Sequence, residues 1–147
     1  MNKLNDKELL ELLKNNVKAF NDYRIRFPNQ KIDFFEDNLS EANLVGADLK
    51  EANLRYADFK EANLEGANLR RADLYYANLA EANLEDANLV KANLYEANLY
   101  GANLAEADLK GANLYYANLA EANLEGANIE NTKIILTKDN LKAIKEY

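Results

Sequence analysis

The side chains that most often carry catalysis are missing from this sequence. It contains neither Cys nor His, which removes thiolate nucleophiles, zinc-thiolate centres, disulfides and imidazole acid-base chemistry. What remains is carboxylate and phenol at regular spacing. Glu41, Glu61, Glu81 and Glu121 fall on one 20-residue column, and Glu65, Glu85 and Glu125 on another. Tyr75, Tyr95 and Tyr115 recur at the same interval, with Tyr76 and Tyr116 beside two of them and Tyr56 20 residues before Tyr76. Carboxylates can hold a hard cation, but these columns lack the ligand spacing of a metal loop. Phenols stacked along a rod can stabilise it or meet a partner, and both readings stand. With no nucleophile-base pair and no phosphate-binding Gly loop, no catalytic residue, cofactor or metal site is expected, and the chain reads as a non-enzyme.

The element that must position these columns is an internal repeat. Numbered by a central large apolar residue, 19 units run in steps of five from Leu39 to Ile129, with Leu at the centre of 17 of them. Asn or Asp precedes the centre in all 19, and Ala sits two before it in 18, Asp37 being the departure. A period of five cannot be helical, because successive Leu would step by ~140° around the axis. Nor can it be a flat strand, in which residues five apart point to opposite faces. Ala-Asn-Leu is in-out-in, and a bend over the next two residues restores the inward direction. The chain must therefore coil, and the 20-residue columns predict four units per coil.

Runs of Ala-Asn/Asp-Leu-X-X from Ala42 to Ile129 resemble the pentapeptide repeat family, over roughly two-thirds of the chain. The resemblance implies an all-β fold, a right-handed quadrilateral parallel β-helix. Counting Phe34 and Ile134 as degenerate end units, ~5 coils at the ~4.8 Å strand spacing make a rod ~25 Å long. The outward Asn are expected to bond turn backbone and to form ladders.

Solenoid ends expose unpaired backbone, so caps are expected. Residues 1–31 read as an N-terminal helical cap and lead-in, 32–136 as the solenoid and 137–147 as a short C-terminal helical cap. From about Asn5 to Asp22 one amphipathic helix is predicted, with Asn5 and Glu8 at capping-box spacing and Leu9, Leu13, Val17 and Phe20 on one face. Pro28 then breaks the chain. Residues from about Lys138 to Glu146 suit a second helix, with Leu141 and Ile144 inward.

The net charge of −7 argues against direct nucleic-acid or anionic-membrane binding. No stretch has the ~20 apolar residues of a membrane span and the N-terminus is not signal-like, so a cytoplasmic location is expected. Residues 32–136 carry 19 acidic and 8 basic side chains, whereas the flanks carry 6 and 10. On a ~25 Å rod that acidity reaches at least two-thirds of the axial charge density of DNA, which carries one charge per ~1.7 Å. Some proteins of the family it resembles are shaped and charged like DNA, bind type II topoisomerases and protect them from quinolones. Lys50, Arg70, Arg71, Lys91 and Lys110 gather near one side, however, so negative potential does not wrap this rod. The main expectation is a protein-protein interaction or scaffolding module, monomeric or paired end to end, that meets an unidentified protein partner through its Tyr-bearing side. The alternative is a DNA mimic acting on a topoisomerase.

Overall fold

Each unit offers three extended residues and a two-residue turn, and this shortness shapes the architecture. In the computed structural model, which describes residues 3–135 and 137–145, residues 20 apart pair in parallel from Asp33 with Asn53 to Asp108 with Asn128. Four units therefore bring the chain back above itself. A side of three residues makes a single bridge to the next coil, so extended pairing lengthens only at the last coil. There β1 (Asn113–Leu114) pairs with β2 (Lys133–Ile134). The hydrogen bonds repeat coil by coil: Asn68 N–H donates to Ala47 O, and Asn68 O accepts from Leu49 N–H, both at 2.9 Å.

The four walls of the coil take their names from their first central residues: Leu39 for the first, Leu44 for the second, Leu49 for the third and Phe34 for the fourth. Each continues in steps of 20, and each ends in a two-residue corner. Their Leu and Ala side chains fill the interior, most of them fully buried, and every buried Leu contributes ~1.5–3 kcal/mol. Asp37 takes an Ala position in the first coil, where burial raises its carboxyl above the ordinary range despite the nearby Lys14.

Each corner closes with a bond such as Ala87 N–H to Leu84 O at 3.0 Å. Its second residue adopts φ near +60° throughout, from Glu36 to Asn131, as the third position of a type II turn requires. All five glycines, Gly46, Gly66, Gly101, Gly111 and Gly126, fall there, but fifteen non-glycine residues do too. Such a conformation costs an L-residue ~1–2 kcal/mol, so neighbouring bonds must hold it. Asn83 shows how: its Oδ1 accepts from Glu85 N–H at 3.2 Å, and its Nδ2 donates to Asn63 one coil back at 3.2 Å. Asn103 Nδ2 then donates to Asn83 at 3.0 Å, extending the ladder. Asp73 accepts from Asn93 at 2.8 Å but, lacking an amide, offers nothing to Asn53.

The N-terminal flank forms two helices, α1 (Asp6–Asn15) and α2 (Val17–Arg26), which corrects the expectation of one helix ending at Asp22. Asn16 is the reason. With φ −159° and ψ 85° it leaves the helical region, donates N–H to Leu12 O, and accepts Ala19 N–H on its side chain. It therefore ends α1 and caps the start of α2. The Asn5–Glu8 capping box is present, with reciprocal bonds of 2.8 and 2.9 Å. Leu9, Leu13 and Phe20 are buried as expected and Val17 is partly so, while Leu10 and Tyr23 join the core.

The first coil has no predecessor to take its bonds, and α2 supplies replacements. Asp48 N–H donates to Asn21 Oδ1 at 2.8 Å. Arg24 donates to Asp48 O at 3.2 Å, Lys50 O at 2.8 Å and Gln30 O at 3.0 Å. At the other end, α3 (Lys138–Lys145) brings in Asn140, which is 3% exposed. Its Oδ1 accepts from Leu119 N–H at 3.3 Å, and its Nδ2 donates to Ile135 O at 3.0 Å and reaches Ala117 O at 3.5 Å. The inward packing expected of Leu141 and Ile144 lies outside the described residues.

Candidate interaction surface

Because residues 20 apart are vertical neighbours, each corner becomes a file of side chains running along the rod. The fourth corner collects Tyr56, Tyr75, Tyr76, Tyr95, Tyr115 and Tyr116, with Phe35 at its head. Ring contacts link them without a gap: Phe35 to Tyr56 at 5.7 Å, Tyr56 to Tyr76 at 5.5 Å, Tyr75 to Tyr76 at 4.6 Å, and Tyr75 to Tyr95 at 5.4 Å and nearly parallel. The stack does not continue straight to Tyr115. Tyr95 instead meets the edge of Tyr116 at 5.4 Å, and Tyr115 lies to the side of Tyr116 at 6.5 Å. Offset and edge contacts of this kind stabilise by ~0.5–1.5 kcal/mol per pair.

The ridge remains accessible. Tyr76 is 41% and Tyr116 62% exposed, so large apolar area meets solvent in a continuous strip, as at binding surfaces. The Glu96 carboxylate accepts from the Tyr76 hydroxyl and holds it protonated well above its ordinary range. Tyr95 is also raised, first by desolvation and then by the Glu96 charge. These phenols are donors and apolar faces, not bases, at neutral pH. Tyr100, which sits on the first corner away from the ridge, is likewise raised by its bond to Glu121.

Beside the ridge, between the third and fourth corners and under the loop at Pro28, is a groove of about 640 Å³. It is lined by Lys31, Lys50, Arg55 and Arg71 but also by Asp33, Glu51 and Asp73. Arg55 lies over the Tyr75 ring at 4.6 Å and pairs with Asp73 at 3.5 Å. The groove does not emerge from sequence spacing, since it depends on how the lead-in loop lies against the rod, whereas Arg55 stands one coil before Tyr75 in the same file, so the 20-residue period alone brings the two together.

The acidic columns occupy the other two corners. Glu41, Glu61, Glu81 and Glu121 line the first, with Lys60 paired to Glu61 at 3.0 Å. Glu65, Glu85 and Glu125 line the second, where coil geometry adds Asp86 and Glu106. Among the described residues no group of carboxylates is arranged to hold a metal ion. No described helix is long and apolar enough to cross a membrane.

A family model and one solved structure agree with this geometry. A family model for pentapeptide repeats matches eight copies over residues 34–71, 67–104 and 92–131. Among solved structures, the pentapeptide repeat protein Rfr23 of the cyanobacterium Cyanothece 51142 is 30% identical with a TM-score of 0.61, over 80% of this chain and 95% of that one. A pentapeptide repeat protein of the Arabidopsis thaliana thylakoid lumen is 31% identical with a TM-score of 0.49, over 79% and 75% of the two chains. One from Nostoc PCC 7120 is 37% identical with a TM-score of 0.46, over 69% and 80%. No curated protein matches the sequence.

Proposed function

We propose that this chain, which belongs to the pentapeptide repeat family and shares its right-handed β-helix, is a non-catalytic interaction module. In this reading the cross-section is quadrilateral, the terminal helices act as caps, and the fourth corner meets a protein partner. The observation that carries it is the unbroken aromatic ridge from Phe35 to Tyr116, half exposed and pre-ordered by ring contacts. Rigid aromatics lose little conformational entropy on binding, which is why Tyr is enriched at interfaces. A photo-crosslinking residue placed at Tyr76 in the native host should capture one discrete protein, and the same residue at Glu81 on the first corner should not. Equal capture from both positions would remove the ridge as the site.

A second reading rests on the first and second corners, where nine carboxylates face solvent with Lys60 as the one cation. An acidic wall of that density supports a DNA-mimic role against a type II topoisomerase. A supercoiling assay with and without a quinolone decides it: no effect at micromolar protein dismisses the idea.

A further inference from the structure

The third wall differs from the other three in carrying opposite charge on its two edges. Its leading edge is the second corner, with Glu65, Glu85, Asp86 and Glu106. Its trailing edge is the third corner, with Arg70, Arg71, Lys91 and Lys110. Both edges repeat at the coil spacing, because both are built from the same coils.

A two-fold axis that runs parallel to the rod, just outside this wall, sets the leading edge of one copy against the trailing edge of the other at unchanged height. Glu65 then faces Arg70 and Arg71, Glu85 and Asp86 face Lys91, and Glu106 faces Lys110, and every match occurs twice. An antiparallel pairing that keeps each edge against its own kind would put acid against acid. The charge pattern thus selects one arrangement, the self-complementary kind that closes as a dimer.

Local pairing leaves cations available. Arg71 contacts Glu51 at 3.7 Å and Lys110 bonds Glu130 at 2.7 Å, whereas among the described residues Arg70 and Lys91 show no ion pair. The wall between the edges presents Asp48, Asn68, Asn88, Asp108 and Asn128. Mismatches remain in this arrangement: Asp48 and Asp108, at the centre of the wall, each oppose their own copies across the axis, and the last coil opposes Glu125 to Glu130. An independent feature marks the same side of the molecule. Ile25 is 78% exposed and follows Asn21 by one helical turn. The Asn21 amide bonds Gly46 O and Asp48 N–H at the rim of the third wall, so Ile25 stands on the flank of α2 above that wall. In a parallel pair both Ile25 side chains come to the same end, next to the axis.

We propose that the third wall is a docking face for a second copy of this chain, lying alongside in parallel about that two-fold axis. The wall is ~24 Å tall and ~10 Å wide, so the pair buries less than the ~1,000 Å² of a stable interface. The dimer is therefore weak and sensitive to salt.

Sedimentation of the full chain at high concentration tests this. Self-association should be present at ~20 mM salt and weaken at least tenfold at ~0.5 M, where the Debye length falls to a few ångströms. The variant R70E/K91E and the variant E65K/E85K should each stay monomeric, and an equal mixture of the two should pair again. That recovery also shows that both variants fold. Because the chain has no native cysteine, Asn88→Cys at the centre of the wall should form a disulfide-linked dimer with oxidised glutathione, while Asn78→Cys on the opposite wall should not. A wild-type monomer at low salt overturns the proposal. So does failure of the mixture to pair, or association that survives both charge reversals but is lost in Tyr76→Ser/Tyr116→Ser.

Discussion

Replacing Arg24 by Leu tests whether α2 substitutes for a missing coil. The guanidinium, whose side chain is 9% exposed, makes three bonds to carbonyls and lies 3.7 Å from the Asp48 carboxylate. A bond to a charged group contributes ~1.5–3 kcal/mol net, but rim carbonyls freed by the substitution partly recover water, so the loss should be about 2–4 kcal/mol. Arg24→Lys keeps the charge without the planar fork and should recover less than half of it. In a solenoid each coil leans on its neighbours, so damage at the rim should be felt there first. Equilibrium urea unfolding measures the total. Amide exchange locates it: protection should fall at Asp48 and Leu49 but not at Leu84 or Leu89. Unchanged stability in Arg24→Leu, or full stability in Arg24→Lys, would refute the reasoning.

Other perturbations probe the interior, the ladder and the charges. Leu84→Ala in the middle of the second wall should cost ~2–5 kcal/mol, and Leu124→Ala in the last coil, where the side chain is 5% exposed rather than fully buried, should cost less, both read by urea unfolding. Asn83→Ala removes a turn acceptor and two ladder bonds and should destabilise by ~1–3 kcal/mol; Asn83→Asp, which keeps the turn bond, should cost less. The carboxyl of Asp37 is raised in the folded state, so the protonated form favours folding; its stabilising contribution is complete below the unfolded value and lost as pH rises through the folded one. Asp37→Ala should therefore gain stability over wild type at pH 7 but not near pH 3, as unfolding across the pH range would show. Stacked Glu columns repel when ionised, so wild-type stability near pH 7 should rise with added salt.

The inner architecture was legible because its signal is redundant. Leu at 17 of 19 centres and Ala at 18 of 19 positions before them leave no other period, and Tyr and Glu columns report the return of the coil. The left-handed corners were also within reach, since all five glycines share one register. That signal is diluted by Glu and Tyr at the same positions, which the Asn ladders hold in place. The break at Asn16 escaped because no Gly or Pro marks it; one Asn side chain caps the second helix while its backbone ends the first. The rim bonds of Asn21, Arg24 and Asn140 escaped for a different reason. Their partners are backbone groups, identical at every coil, so no spacing in the sequence points to them. The aromatic ridge was visible as a list of tyrosines, but not the switch from Tyr95 to Tyr116, which ring packing alone decides.

The amide of Asn140 and the side chains of Asn21 and Arg24 address peptide groups that every coil presents alike. The two terminations are thus indifferent to how much rod lies between them. Excising one full circuit, such as residues 64–83, leaves each end facing the same peptide pattern it meets now, whereas a cut of fifteen residues turns the whole distal part by a quarter circle and strands its helix against the wrong side. Growth and shrinkage of this molecule are quantised in twenties.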